Sequence, residues 1–252
     1  MTNIAPGKSE SPPEVVACLG SSTVASKGTF KWIDELQTRP QNRRFRFVNL
    51  GVGGDLAYNA LQRLPSVVAC RPDRVVILIG GNDVLAAVFQ KLRRIYRRRK
   101  HLPVEPSAEW FRENVLAIVR RLKADTSARI ALASLPQIGE DPNPTGGVQR
   151  ELNARIAQYR RIIQEIAGEE KVSYIPLYER LHEQILASPG QAFIRFRILS
   201  FFRDYLFRRF LLRLDIDQIA QLNGWKFHID GVHLNTRGGM ILAEVVQEFL
   251  DS

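Results

Sequence analysis

A histidine and an aspartate near the end of the chain have the spacing of a catalytic pair. Asp230 precedes His233 by three residues in the segment DGVH. A carboxylate this close to an imidazole can fix its tautomer and orientation, which a general base requires. Ser22, which follows an apolar run, is a nucleophile that such a base could activate. Taken alone, the histidine of a DxxH pair more often has a structural role, in which it caps a helix or fills space. A serine after a strand more often caps a helix.

Three loops combine glycine with polar side chains, each directly after an apolar run. The loops are Gly20-Ser21-Ser22-Thr23, Gly51 to Asp55, and Gly80-Gly81-Asn82-Asp83. A glycine lets a backbone N–H approach a ligand closely, and an asparagine amide can reach the same ligand from the side. Taken alone, Gly53-Gly54 is a turn, and Asn82 could be a turn or cap residue.

The order of the elements predicts how these loops come together. Apolar runs typical of buried parallel strands occur at 15–20, 44–50, 73–80, 129–136 and 171–177. Helical patterns lie around 30–36, 56–69, 84–100, 108–124, 148–168 and 236–250. This alternation predicts a parallel, doubly wound α/β sandwich of three layers. Ligands bind outside the carboxyl ends of the strands in such sheets, so the three loops are expected at one edge.

Together, the three glycine-bearing loops and the near-terminal DxxH segment resemble the SGNH (GDSL-type) hydrolase family. The four blocks span residues 15 to 240, and the Gly-Gly-Asn-Asp block after an apolar strand is the most specific of them. The resemblance implies a flavodoxin-like α/β/α sandwich with a mostly parallel five-stranded sheet. It also implies a serine esterase, lipase or acyl-hydrolase that works through a covalent acyl-enzyme.

The resemblance also assigns roles to individual residues. Ser22 matches the nucleophile, His233 the base and Asp230 the acid that orients it. The backbone N–H of Ser22, together with Gly54 and Asn82, matches the oxyanion hole.

The chain departs from the family pattern at two positions. Ser21 stands where the family usually has aspartate, which puts in doubt the local orientation around Ser22. Leu234 stands where proline often follows the histidine, which we interpret as minor. Asp55 and Asp83 are interpreted as braces of their loops and not as reacting groups.

Length and composition set the broad class of protein. The 252 residues are 45% hydrophobic and 25% charged, which is typical of a globular chain. We expect a flexible segment over 1–13 and one hydrolase-like domain over 14–252. No apolar run reaches the roughly 18–20 residues that span a bilayer, and we expect no secretory signal because the N-terminus is polar and contains proline. Cys18 and Cys70 are expected to be reduced, so we expect a cytoplasmic protein.

No cofactor or metal is expected. Histidine and cysteine are too sparse and too badly spaced for a metal site. The turn Gly51-x-Gly53-Gly54 only faintly resembles a dinucleotide-binding turn, because Leu56 occupies the position of the third glycine.

Two basic segments, 91–100 and 193–213, carry +12 between them, and the rest of the chain carries −2, which gives the net charge of +10. The wheel over 84–100 predicts one basic amphipathic helix, which is either an ordinary surface helix or a contact for anionic membrane. An insertion around 190–215 mixes arginine and phenylalanine without segregation, as expected of a lid, a substrate wall or an oligomer contact. Its place before the DxxH segment suggests a lipid-like or long-acyl substrate.

A non-enzymatic alternative stays open. The chain would then be a binding protein on a hydrolase fold, attached to acidic lipid or nucleic acid through its basic segments. The complete set of catalytic residue types favours the enzyme, whose partner is a small-molecule or lipid ester. No specific nucleic acid is expected, and the sequence does not indicate an oligomeric state.

Overall fold

Five strands form one parallel sheet in the order β2-β1-β3-β4-β5. The strands are β1 (Glu14–Gly20), β2 (Phe45–Gly51), β3 (Arg74–Leu78), β4 (Arg129–Ala133) and β5 (Ser173–Ile175). Each lies within three residues of its predicted bounds. The central strand β3 is buried along its whole length, as continuous apolar runs require when helices cover both faces. The predicted α/β sandwich is confirmed, and the sheet is entirely parallel.

Helices cover both faces of the sheet. They are α1 (Ser22–Ala25), α2 (Trp32–Thr38), α3 (Ala57–Gln62), α4 (Leu64–Ala69), α5 (Gly81–Val88), α6 (Gln90–Arg99), α7 (Ala108–Asp125), α8 (Gly147–Glu169), α9 (Leu177–Ala187), α10 (Ile216–Leu222) and α11 (Thr236–Asp251). In one layer α11 contacts α2 and α9, and in the other α7 contacts α3, α4 and α8. The longer helices follow the predicted apolar spacing: α7 buries Phe111, Val115, Ile118 and Leu122.

Two predicted helices are each divided in the structure. The segment 56–69 forms α3 and α4, which meet at Arg63 just before Pro65. The single amphipathic helix predicted over 84–100 is wrong, because Phe89 adopts an extended conformation (φ −108°, ψ 104°) and separates α5 from α6. The apolar sides of these helices pack on the protein body, where Leu85 and Leu92 are buried. The sequence interpretation also missed α1, which begins within the predicted loop after β1, as well as α9 and α10.

The computed structural model describes residues 12–194, 208 and 211–252. The predicted flexible segment 1–13 lies outside these residues except for two exposed prolines before β1. Most of the insertion predicted around 190–215, namely 195–207, 209 and 210, is outside them as well. None of the helices in the described ranges is long and apolar enough to cross a membrane.

Candidate active site

Ser22 begins α1 directly beyond the carboxyl end of β1. This edge lies between β1 and β3, where the strand order reverses and ligand sites of open α/β sheets form. The turn is tight because Gly51, at the end of β2, brings its backbone against α1. A Cβ on Gly51 would lie 2.1 Å from the backbone nitrogen of Ala25, so only glycine fits this approach.

His233 and Asp230 lie in the loop between α10 and α11, and the fold brings them to Ser22. Nδ1 of His233 lies 2.8 Å from Oδ2 of Asp230, and its Nε2 lies 3.1 Å from Oγ of Ser22. The other oxygen of Asp230 accepts the backbone N–H groups of Val232 and His233 at 3.0 and 2.8 Å. The predicted serine, histidine and aspartate therefore form one hydrogen-bonded chain, although 211 residues separate Ser22 from His233.

The aspartate shifts the ionisation of the histidine. Both side chains are 16% exposed. Burial by itself favours the neutral imidazole, but the charge and hydrogen bond of Asp230 outweigh it and raise the pKa of His233. Burial also disfavours ionised Asp230, yet His233 and two backbone N–H groups hold the pKa of Asp230 below its ordinary value. The carboxylate is thus kept ionised beside a ring of increased basicity.

Asn82 lies in the first turn of α5 and is 7% exposed. Its Nδ2 donates to the backbone oxygen of Asp55 at 2.9 Å, and its Oδ1 accepts from the Tyr96 hydroxyl at 2.8 Å. Of the two Nδ2 hydrogens, the second has no acceptor within the described ranges. The amide therefore keeps one donor for a ligand beside Ser22.

Gly54 belongs to a turn after β2 in which Asp55 N–H donates to Val52 O at 3.2 Å. The φ of Gly54 is +77°, which favours glycine. Across residues 12–194, 208 and 211–252, no acceptor faces the backbone N–H of Gly54 or of Ser22. Both groups are available as donors, as the predicted oxyanion hole requires.

The two aspartates beside the predicted oxyanion residues brace their loops. The buried Asp55 carboxylate pairs with Arg63 Nε and Lys100 Nζ, each at 2.8 Å. Asp83, 1% exposed, accepts the backbone N–H of Ala57 at 3.2 Å and so links the Asn82 loop to the start of α3. Burial raises the pKa of Asp83 to about 8, against the opposing effect of that hydrogen bond.

Ser21 replaces the family aspartate without separating the nucleophile from its partner. Its side chain is 7% exposed and makes no capping hydrogen bond to α1. Its backbone oxygen accepts the N–H of Ala25 at 2.9 Å, which closes the first turn of α1. Ser22 Oγ lies within hydrogen-bond distance of His233 in this arrangement.

A largely apolar pocket opens beside Ser22 and Asn82. It contains about 420 Å³ of empty space, open solvent at its mouth included. Its apolar lining is Leu78, Ile79, Leu135, Pro136, Ile138 and Val232. A group bound there would lie next to the Ser22 hydroxyl in surroundings that favour hydrocarbon.

Several residues that support the site were not singled out from the sequence. Tyr96, Lys100 and Arg63 hold the loops of the candidate oxyanion residues, and Glu140 holds the segment that precedes Asp230. These residues carry no motif of their own. The amphipathic pattern of α6 predicted that Tyr96 would face the body of the protein, but not which group it would meet.

Comparison with known families identifies the class of protein. Residues 18–195 match the GDSL-like lipase/acylhydrolase family. This match covers more than half of the chain, so the protein belongs to that family, as its motifs predicted. It is a carboxylic ester hydrolase. No curated protein sequence matches the chain.

Solved structures share the fold at low sequence identity. Axe2, an acetylxylan esterase from Geobacillus stearothermophilus, is 18% identical with a TM-score of 0.61, covering 94% of both chains. The acetyl xylan esterase AlAXEase is 19% identical with a TM-score of 0.61, covering 94% of this chain and 99% of its own. The lipase/acylhydrolase from Enterococcus faecalis is 16% identical with a TM-score of 0.60, covering 94% of this chain and 95% of its own. At these identities the likeness concerns the fold.

Proposed function

We propose that the protein hydrolyses carboxylic esters with Ser22 as nucleophile, His233 as general base and Asp230 as its orienting carboxylate. The observation that carries the proposal is the hydrogen-bonded chain from Ser22 Oγ through His233 to Asp230, with distances of 3.1 and 2.8 Å. A serine hydroxyl is a weak nucleophile until a neighbouring base takes its proton. The ionised Asp230 holds Nδ1–H, which leaves Nε2 to accept that proton.

The reaction proceeds in two halves. Ser22 Oγ bonds to the ester carbonyl carbon while its proton passes to His233 Nε2, and the carbonyl oxygen becomes an oxyanion. The carbon–oxygen bond to the alcohol then breaks, and His233 returns the proton to the leaving alcohol. Water then bonds to the acyl carbon while its proton passes to His233, the bond from that carbon to Ser22 Oγ breaks, and His233 returns the proton to Oγ as the acid leaves.

Three donors serve the oxyanion in this proposal: the backbone N–H groups of Ser22 and Gly54 and the side-chain amide of Asn82. Each of the three groups has one N–H hydrogen with no acceptor among the described residues, which supports the assignment. A single donor of this kind contributes about 10²–10³-fold in kcat. We expect Asn82→Ala to lower kcat by that factor.

We further propose that the substrate carries an acyl group longer than acetyl, in line with a lipid-like or long-acyl ester. The apolar lining of the pocket beside Ser22 supports this assignment. Two of the structural relatives are named as acetylxylan esterases, so an acetylated sugar is the competing substrate. Acyl-chain preference separates the two.

The test compares wild-type protein with Ser22→Ala on p-nitrophenyl esters from acetyl to palmitoyl, and on acetylated xylan. We expect the variant to lose at least three orders of magnitude in kcat. A fluorophosphonate probe should label the wild type and not the variant. Equal rates for both proteins would refute the serine mechanism. A rate that falls steadily beyond acetyl would refute the longer acyl group, and hydrolysis of acetylated xylan in that case would favour the sugar ester.

A peripheral contact with anionic lipid is a second proposal, supported by the outer face of α6. Lys91, Arg94, Arg98 and Arg99 are exposed there, and the described ranges hold no acidic partner for them. Because the apolar side of α6 packs on the protein body, where Leu92 is buried, α6 would contact a membrane through its basic side chains. Each such cation contributes about 1 kcal/mol near an anionic leaflet. Co-sedimentation with phosphatidylserine vesicles at low salt, lost at high salt or in a four-fold glutamine variant, is the expected result.

We also propose a cytoplasmic location. Both cysteines are free thiols, and Cys18 is fully buried in β1. Thiols persist in reducing compartments. Fractionation of cells that express the tagged protein tests the location, and recovery from a secreted fraction would contradict it.

A further inference from the structure

Tyr96 contacts the candidate oxyanion residue Asn82 at the oxygen of its side-chain amide. The hydroxyl of Tyr96, on the inner side of α6, lies 2.8 Å from Oδ1 of Asn82. The tyrosine ring is partly buried and packs against the hydrophobic core. This ring also lies beside the Gly54 turn, where its Cε1 would be 3.8 Å from a Cβ on Gly54.

The chemistry of the amide fixes the direction of this hydrogen bond. An amide oxygen only accepts, so the Tyr96 hydroxyl is the donor. On the other side, Asn82 Nδ2 donates to the backbone oxygen of Asp55 at 2.9 Å. If the amide were rotated by half a turn, its oxygen would face the Asp55 carbonyl oxygen. The phenol and the carbonyl therefore select one orientation, in which the second Nδ2–H is free.

We infer that Tyr96 is a positioning residue for ester hydrolysis, which holds and polarises the Asn82 amide so that its free N–H meets the oxyanion. The inference rests on the proposed function, because it needs Asn82 to serve the oxyanion. A hydrogen bond accepted by the amide oxygen strengthens the amide as a donor through cooperative polarisation. A pre-oriented donor also needs no rearrangement as the charge forms.

The surroundings keep the Tyr96 hydroxyl protonated, so that it can donate its hydrogen bond. Burial, with a smaller effect from the charge of Asp83, raises the pKa of Tyr96 well above its ordinary value. The phenol thus retains its hydrogen throughout the working range of an esterase.

Lys100, just beyond the end of α6, holds the turn on the other side of the candidate oxyanion hole. Its Nζ donates to the backbone oxygen of Gly53 and to Asp55 Oδ1, each at 2.8 Å. One short stretch of chain therefore fixes both sides of the candidate oxyanion hole. Tyr96 holds the Asn82 amide, and Lys100 holds the turn that presents Gly54.

The experiment is a double-mutant cycle between Tyr96→Phe and Asn82→Ala, assayed on the ester that wild type hydrolyses fastest. Tyr96→Phe removes one oxygen and keeps the ring. We expect it to lower kcat about 3- to 10-fold with KM unchanged. In the Asn82→Ala background the same substitution is expected to have no effect, since no amide remains to be held. The matched control is Tyr174→Phe, which removes a hydroxyl bonded to Glu179 at 2.8 Å and should leave kcat unchanged.

A trifluoromethyl ketone inhibitor provides a second readout. It forms a tetrahedral oxyanion on Ser22, so its Kd should weaken in Tyr96→Phe by the factor lost in kcat. Should Tyr96→Phe melt too low for assay, a ring-fluorinated tyrosine at 96 keeps the hydroxyl and makes it a stronger donor. At pH 7 this replacement is expected to raise kcat, and an unchanged or lower kcat would overturn the inference.

Each failure has its own signature. If Tyr96→Phe retains wild-type kcat, or lowers kcat equally with and without the Asn82 amide, Tyr96 is structural and the inference is overturned. If instead Ser22→Ala and wild type hydrolyse esters equally, the proposed function itself fails.

Discussion

Glu140 and His228 form a fully buried pair, with Oε1 of the carboxylate 2.9 Å from Nδ1 of the ring. The other ring nitrogen, Nε2, lies 2.9 Å from the backbone oxygen of Gln137. Each ring nitrogen therefore faces an oxygen that accepts hydrogen bonds. Burial disfavours the charged carboxyl, but the hydrogen bond and charge of His228 hold the pKa of Glu140 below its ordinary value.

This pair anchors the loop that carries the candidate base. Glu140 follows β4, and its Oε1 also accepts the backbone N–H of Phe227 and His228 at 2.7 and 3.0 Å. Gly139 N–H donates to Gly231 O at 2.7 Å, inside the DxxH segment. The loop after β4 thus determines where Asp230 and His233 lie.

Removal of the Glu140 charge should destabilise the fold. Glu140→Gln removes the charge of a buried carboxylate that accepts backbone N–H groups and meets the His228 ring, and breaking such a buried pair costs about 3–5 kcal/mol of unfolding free energy. Urea unfolding at pH 7 measures the loss. The control is Glu248→Gln, which breaks a half-exposed pair with Arg180 and should cost less than about 1 kcal/mol. A similar cost for both variants would contradict the role of the buried pair.

The pH profile should report His233. A general base works only when neutral, so kcat/KM is expected to fall as pH drops through the pKa of His233, which lies above the ordinary value of about 6.5. In Asp230→Asn the counter-charge is lost while burial persists, so the midpoint should move to lower pH. The rate should also drop by about three to four orders of magnitude. Asp34→Asn, on the surface, is the control, and a midpoint that stays in place in Asp230→Asn would contradict the assignment.

Stability should depend on pH through Asp83. Its folded-state pKa of about 8 lies above the unfolded value of about 3.9, so folding takes up a proton between these values. The stabilisation is complete below about pH 4 and is lost as pH rises toward 8. Asp83→Asn removes this dependence, so its stability relative to wild type should improve from pH 5 to pH 9.

Urea unfolding at pH 5, 7 and 9 measures the effect of Asp83→Asn. Asp125→Asn, in an exposed pair with Arg121, is the matched control and should show no such trend. A variant that loses stability relative to wild type as pH rises would show that ionised Asp83 is favoured by its contact with Ala57.

Two glycines at and just after the end of β2 should differ in how well they tolerate alanine. In Gly51→Ala the new Cβ would lie 2.1 Å from the Ala25 backbone nitrogen, so α1 must move. We expect a loss of about 1–3 kcal/mol or more in stability. Because α1 carries Ser22, kcat should fall as well.

Gly53→Ala is the control for Gly51→Ala, since nothing lies within 4 Å of a Cβ there. Thermal melts and ester hydrolysis of both variants measure the difference. Equal behaviour would show that the approach of α1 to β2 tolerates a side chain.

The sequence by itself determined the layered fold and the candidates for catalysis. Continuous apolar runs identify buried parallel strands, because helices on both faces leave no side of the strand to water. The order of residue types along the chain identified the catalytic and oxyanion candidates Ser22, Gly54, Asn82, Asp230 and His233. The apolar spacing does not show where a single residue leaves the helical conformation. The division of the predicted helix at Phe89 was therefore missed.

Only the tertiary structure decided which groups support these candidates. Tyr96 reaches Asn82 because α6 packs against α5, and Glu140 reaches His228 because two loops distant in sequence meet beyond the sheet. Hydrogen bonds of this kind depend on how whole elements are placed, and no local spacing encodes them. The catalytic candidates, Asp230 included, leave a pattern in the chain, whereas supporting residues such as Tyr96 and Glu140 are recognised by distance and burial alone.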